Sequence, residues 1–411
     1  MHVTLVNNQL QLGGAETVVS QLHRGLRKAG HESFVRVAWG KSYPRGEGIE
    51  PLYPRRLSRL SHTRLHSLVE FFAPRAAWID RAFRALGDGL ADVIHVHNFH
   101  GDYASIEALA DLANRKPVVW TFHAFWGITG GCDHPRECLR YQKACGQCPH
   151  LGEWPLDLVD RTEEQLRAKL ERLAPAPLTI IAPSRHLAGK VRNSPVGQQW
   201  RVVEIPNGVD PDRFGFARKH DPEFRKLLKL NPAATVILVV NRDFRDPNKG
   251  FAMVAKALAG IDPANVQILL AGQASDWAAA QLPRFSCIDA GYVRSPERMA
   301  EWFEAADVFL FASAAENFPC VILEAMSSKC CIVSTPTSGV TEQIEHGSTG
   351  FLATEISGKS LGEALDEALS GDAGRLAIGE NARRRVEQKF SETVMLTRHI
   401  DLYHDLRRTF H

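Results

Sequence analysis

Short apolar runs alternate with amphipathic stretches along most of the chain. His2 to Val6 is a strand-length apolar run, and a polar turn follows from Asn7 to Gly14. Over Ala15 to Ala29, Val18, Val19, Leu22 and Leu26 fall on one helical stripe. Gly30 stands where such a helix ends. Further apolar runs predict strands at Phe34 to Ala38, Asp92 to His97, Pro117 to Phe122 and Leu178 to Ala182. The alternation then restarts, with strands expected at Thr235 to Val240, Val266 to Ala271, Asp307 to Phe311 and Cys331 to Ser334. Helices are expected at Lys249 to Leu258, Pro296 to Ala305 and Cys320 to Ser328, and Ser357 to His411 reads as helical almost throughout.

Strand, helix and strand at this spacing are the mark of βαβ units and parallel sheets covered on both faces. The chain therefore reads as two doubly wound parallel-sheet α/β domains facing a cleft. Pro, Gly, Asn and Asp accumulate between about residues 190 and 233. The expected divisions are 1–195, 196–385 and a closing helix over 386–411. Ligands of open α/β sheets bind at the carboxyl ends of strands, so the loops there are where chemistry is sought.

Composition narrows the classes. The chain has 411 residues, enough for a large core without staples, and a formal charge of +2, too balanced for a nucleic-acid coat. No apolar run approaches a spanning helix, and the first residues lack the basic and apolar regions of a signal peptide, so a cytoplasmic setting is expected. Lys41 to Arg84 departs from the balance, with nine Lys and Arg against four acids and interleaved Leu and Phe. It reads either as a surface for anionic lipid or substrate, or as a solvated helix packed on its domain.

Four places carry candidate chemistry. Gly13-Gly14 opens the first helix after the first strand, but it lacks the spacing of a dinucleotide fingerprint. The segment Glu316 to Glu324 (ENFPCVILE) follows a strand, and Pro319 suits the first position of a helix. The N–H groups of Cys320 and Val321 would then serve a diphosphate, with Glu316 and Glu324 holding hydroxyls on either side. The plain alternative is a capping carboxylate and an exposed helical Glu. Arg242 and Lys249 follow the Thr235 to Val240 strand, where two cations suit a diphosphate leaving group. His123 follows the PVVWTF strand; His97 and Asn98 are candidates for the cleft wall, and His95 for a buried, satisfied ring.

The eight cysteines divide. Cys132, Cys138, Cys145 and Cys148 fall within seventeen residues of the loop 124–160, spaced C-x5-C-x6-C-x2-C. Three readings stay open: a structural zinc held by the four thiolates, with His134 and His150 as substitutes; two disulfides; or four free thiols. Cys287, Cys320, Cys330 and Cys331 read as small core residues.

These pieces resemble the retaining glycosyltransferases of the GT-B fold, family 4. The resemblance rests on LGGAETVV, DVIHVHNFHG, WTFHAFW, IAPSRHLA, VVEIPNGVDPDRF, the Arg242…Lys249-Gly250 pair and ENFPCVILEAMSSKCCIVSTPTSGVTEQI. It implies a nucleotide-diphosphate sugar donor held by the second domain, and a saccharide acceptor, including lipid-linked ones. It gives Glu316 the sugar hydroxyls and Glu324 the ribose. Arg242 and Lys249 would take the departing diphosphate, assisted by the donor-binding stretch Asn317, Phe318, Cys320 and Val321. His123 would face the donor sugar, Gly14 the diphosphate or acceptor, and the last helix would return to the first domain. The two cations imply catalysis without a metal cofactor, the balanced charge implies no nucleic acid, and the basic stretch Lys41 to Arg84 implies contact with the cytoplasmic membrane face. Two departures stand out: Asn317 where the family carries Gly, and Ala124 after His123 where many members carry Asp. The rival functions are a nucleotide-sugar epimerase, a non-catalytic nucleotide-sugar-binding partner, and a zinc-dependent binding module.

Overall fold

In the computed structural model, the described residues are 1–10, 13–38, 46, 48–53 and 75–410, with the side chains of 75–77 excepted. They form two compact units, one of Met1–Pro206 with Leu396–His411 and one of Asn207–Met395.

The first unit is built on seven strands: β1 (His2–Asn7), β2 (Glu32–Val37), β3 (Ile49–Pro51), β4 (Val93–Val96), β5 (Val118–Thr121), β6 (Thr179–Ala182) and β7 (Arg201–Glu204). Their order is β3-β2-β1-β4-β5-β6-β7, and every pairing is parallel. The central strands are buried along their whole length, as the unbroken apolar runs require. At the edge, β7 is half-exposed and opens on Arg201, so its sequence carries little strand signal. Its pairing with β6 brings residues as far as Pro206 into this unit, beyond the expected division at 195.

The closing helix Glu392–Thr409 delivers its last turns to this first unit. Tyr403 is fully buried there and its hydroxyl lies 2.6 Å from His95 Nδ1. Leu396 packs where Gly25 has no side chain; a Cβ on Gly25 would come within 2.7 Å of it. Arg201 also pairs with Asp405 at 2.7 Å.

The second unit carries β8 (Thr235–Asp243), β9 (Val266–Gln273), β10 (Ser286–Gly291), β11 (Val308–Phe311), β12 (Cys331–Ser334) and β13 (Phe351–Leu352). The order is β10-β9-β8-β11-β12-β13, again parallel throughout. Strand alternation feeds two cores, one on each face. Val236, Leu238, Phe309, Phe311 and Ile332 enter one, and Ile237, Val239, Val308, Leu310 and Val333 enter the other. Buried Arg225 pairs with partly buried Asp307 at 2.7 Å and anchors the start of the unit beneath β8, since Asp307 also accepts the Val236 N–H at 2.8 Å. In this sheet, β8 and β11 are neighbours although β9 and β10 follow β8 in sequence. The order therefore reverses between β8 and β11, and that reversal is where such sheets bind ligands.

Candidate functional site

The loops after β8 and β11 meet at this reversal. Arg242 is exposed near the end of β8, where pairing with β9 shifts register between Val240 and Asp243. Asp246 caps the next turn by accepting the Asn248 N–H at 2.9 Å, and a short 3-10 turn spans Pro247–Lys249. Gly250 follows with φ +69°, and a Cβ there would lie 2.6 Å from the Ala312 carbonyl oxygen. Only glycine lets the turn approach the loop after β11 this closely. The two loops are then tied together: the Ala314 N–H and the Ser313 hydroxyl both donate to the Asn248 carbonyl, at 3.0 and 3.1 Å.

This fastening places Lys249 Nζ 2.8 Å from Glu316 Oε1. Ser313 Oγ lies 3.2 Å from the same oxygen. The Glu316 carboxylate holds the Lys249 ammonium above its ordinary pKa, against the opposing effect of burial. Lys249 is thus a fixed cation at neutral pH, held by a neighbour rather than left in solvent.

Beyond Glu316 the chain enters the helix Cys320–Ser327. Asn207 Nδ2 donates to the Phe318 carbonyl at 2.9 Å and Gln343 Nε2 to the Pro319 carbonyl at 3.0 Å. Pro319 stands at the N-cap, one residue earlier than the sequence pattern suggests, with ψ 123° and no capping side chain. The first N–H groups of the helix, Cys320 and Val321 among them, are therefore served by no cap of the helix's own. The Cys320 thiol is pushed up to about 12 by burial, so it is neutral and unreactive there. Glu324 is half-buried one turn in, and burial raises its carboxyl to about 7, the nearby Arg213 opposing only in part. Asn317 is buried within the same turn. Asn207→Ala should lower stability by ~1 kcal/mol and loosen this helix entrance. Thermal melting checks the first effect, and donor titration of the variant checks the second.

In the first unit the order likewise reverses, between β1 and β4. Gly13-Gly14 follows β1, and Gly14 opens the helix Gly14–Lys28. The Glu16 carboxylate folds back over this turn, so close that a Cβ on Gly13 would meet Glu16 Oε2 at 2.2 Å. Glu16 also takes hydrogen bonds from Gln9 Nε2 at 3.2 Å and Asn98 Nδ2 at 3.5 Å. The positive end of that helix is already served by a carboxylate. His123 follows β5, with its Nε2 3.1 Å from His97 Nδ1. Burial, and then His100, lower His123 to about 3, so the ring is neutral at pH 7. His97 is fully buried behind His123 rather than exposed on a wall. His95 is buried and satisfied, as its position suggests, between Tyr403 and Thr121.

The zinc reading of the cysteine loop finds no support. Cys132, Cys138, Cys145 and Cys148 are free thiols, and among the described residues no three His, Cys, Asp or Glu side chains gather as a metal set. The four do line one small cavity together with His150. Burial raises Cys132 to about 12 and lifts Cys145 and Cys148 as well. Packing also organises the loop. Trp126, Ile128, Tyr141 and Leu156 are buried, and Lys169 reaches in to donate to the carbonyls of Trp126 and Thr129 at 2.6 and 2.9 Å.

Most of the basic stretch Lys41 to Arg84 lies outside the described residues. Its last turns belong to the helix Arg75–Arg84, where Trp78 packs edge-on against Tyr53 and Arg84 pairs with Asp111 at 2.7 Å. Among the described residues no helix is long and apolar enough to cross a membrane. Sequence reasoning passed over Ser313, Asn207 and Tyr403. Asn207 lies inside the IPNGVD motif, which was the available signal; nothing local marks the other two.

The chain is similar to known proteins along its whole length. Residues 12–213 match the model of Glycosyltransferase Family 4, and residues 220–385 match that of Glycosyl transferases group 1. The chain is 31% identical to a D-inositol 3-phosphate glycosyltransferase of Pseudarthrobacter chlorophenolicus, over 83% of this chain and 75% of the relative. It is 20% identical to a putative colanic acid biosynthesis glycosyl transferase of Escherichia coli, over 84% and 85% of the two chains. Among solved structures, the Anabaena protein HepE, crystallised with UDP and glucose, superposes with a TM-score of 0.70 at 18% identity, covering 98% of this chain and all of the other. By sequence and by fold, then, the chain belongs to the group 1 glycosyltransferases and carries the GT-B architecture.

Proposed function

We propose that the second unit binds a nucleotide-diphosphate sugar at the β8/β11 reversal, and that the enzyme passes the sugar to a saccharide acceptor with retention of anomeric configuration. The convergence of Lys249 and Glu316 from the two loops flanking that reversal carries the reading. A neighbour of the same architecture crystallised with UDP-glucose, and a relative named for capsular polysaccharide biosynthesis, support it.

In the reaction the bond between the anomeric carbon and the diphosphate oxygen breaks. The acceptor hydroxyl oxygen bonds to that carbon and gives up its proton to the departing diphosphate. Negative charge grows on the diphosphate. Arg242, Lys249 and the uncapped start of the Cys320–Ser327 helix supply fixed positive charge where it grows, which lowers the barrier. With those cations in place the leaving group needs no metal ion. Glu316 has its second oxygen for sugar hydroxyls, Glu324 takes the ribose, and Asn317 to Val321 line the diphosphate. On the first unit, His123 addresses a sugar hydroxyl and Gly14 lies at the acceptor side. The basic run Lys41 to Arg84 supports a lipid-linked acceptor met at a membrane surface.

A thermal-shift screen of UDP- and GDP-sugars tests the donor assignment. At about 100 times its dissociation constant the right donor should stabilise the protein by about 2.7 kcal/mol. If no nucleotide sugar moves the melting temperature, the reading fails.

A further inference from the structure

The buried histidines of the first unit form a chain whose hydrogen-bond accounting fixes a proton. A neutral imidazole carries one N–H and one lone pair. His95 spends both nitrogens, on Tyr403 at 2.6 Å and on Thr121 at 2.7 Å. Its ring lies against His97, with centroids 4.0 Å apart, but has no nitrogen left to serve it. His97 Nδ1 meets His123 Nε2 at 3.1 Å, while His97 Nε2 is buried with no hydrogen-bond partner among the described residues.

Two arrangements satisfy the 3.1 Å contact. If His123 donates, the His97 proton sits on Nε2 and is orphaned in the core. If His97 donates, only a lone pair is orphaned there. Orphaned buried N–H groups are the rarer and costlier of the two. The main chain of His97 is anchored on both sides. Its backbone N–H donates to the Val6 carbonyl at 2.8 Å, and its carbonyl accepts from the Tyr103 hydroxyl at 2.6 Å. Tyr103 is itself fully buried, and its carbonyl takes the Tyr53 hydroxyl.

We infer that His97 is a positioning residue that donates from Nδ1 to His123 Nε2 and so locks His123 in its Nδ1–H tautomer. His123 then carries its proton on Nδ1, and its Nε2 is spent on His97. Such a ring is no general base at Nε2. The inference rests on the reading of His123 as a sugar-facing residue.

The test uses the full chain labelled with 15N-histidine. Two-bond proton–nitrogen correlation spectra separate protonated from bare ring nitrogens, and His97→Asn and His123→Gln variants assign the signals. The expected result is a protonated Nδ1 and a bare Nε2 on both His97 and His123 in the wild-type protein. A protonated Nε2 on His123 overturns the inference, and this measurement needs no variant to be active. In His97→Leu, His123 should show both tautomers, and kcat/KM for transfer should fall about fivefold to tenfold. His97→Asn, whose amide nitrogen falls near the position of Nδ1, should restore both. An unchanged His123 tautomer in folded His97→Leu also overturns it. If the wild-type tautomers are as assigned but His123→Ala transfers sugar normally, the sugar role of His123 fails while the proton assignment stands.

Discussion

Lys249→Ala is expected to lower turnover by about a hundredfold to a thousandfold, the usual effect of removing one group aimed at developing charge. The loss should fall on kcat, because the diphosphate gains most of its charge as the glycosidic bond breaks. Stability should barely change. Lys249 and Glu316 are partly exposed, and such pairs contribute no more than about 1 kcal/mol. The substitution also strips Glu316 of its counter-charge, so a carboxylate would then face the departing phosphate, adding repulsion to lost attraction. Lys249→Arg keeps the charge but not the point geometry, and should recover only part of the rate. Steady-state rates beside melting curves decide the matter. Turnover near that of the wild type would sink the assignment, as would a rate loss matched by a large drop in melting temperature.

Glu324→Gln should raise stability while abolishing tight donor binding. Burial lifts the Glu324 carboxyl from the ordinary 4.5 to about 7. The folded protein therefore prefers the protonated acid. That preference stabilises the fold in full below about pH 4.5, and the benefit is lost as pH rises through about 7. Above it, the native state carries a half-buried carboxylate that the unfolded chain would hydrate freely. A shift of this size corresponds to a penalty on the order of 2–3 kcal/mol near pH 8, and glutamine should remove it. The variant should thus melt like the wild type near pH 4.5 and above it near pH 8. Donor binding reverses the sign, since ribose hydroxyls donate to a carboxylate. Wild-type affinity should rise as pH climbs through about 7, and that rise should vanish in Glu324→Gln. Calorimetric titration of the donor at pH 6 and pH 8 checks this, and a pH-independent wild-type affinity would refute it.

The unbroken apolar strands were the legible part of the fold. Pro296–Ala305 and Cys331–Ser334 fall where periodicity puts them, and β4, β5, β6, β8, β9 and β11 lie within two or three residues. Edge strands were not legible. Ser286–Gly291 and Arg201–Glu204 are half-exposed, so their sequences mix polar and apolar residues without strict alternation. In the site, position at the carboxyl end of a strand singled out Arg242, Lys249 and Glu316. The Lys249–Glu316 contact was not legible, because it depends on two loops fastened through Ser313 and Asn248, some sixty-five residues apart. The cysteine spacing left zinc, disulfides and free thiols open, because sequence shows ligand types and intervals but not packing. In the fold the four cysteines form no disulfide, and Lys169, from a helix beyond the loop, secures the loop backbone.

The order of synthesis gives the closing helix a significance of its own. The first unit begins at Met1 but holds Leu396–His411 as its last piece, so the chain leaves that unit at Pro206 and rejoins it only after Met395. Nearly two hundred residues of the other unit must emerge before Tyr403 can reach His95. Until then, His95 lacks the tyrosine hydroxyl that meets its Nδ1 in the finished fold. Damage at the far end of the chain, by a stop codon or a protease, would thus be felt in the part made first.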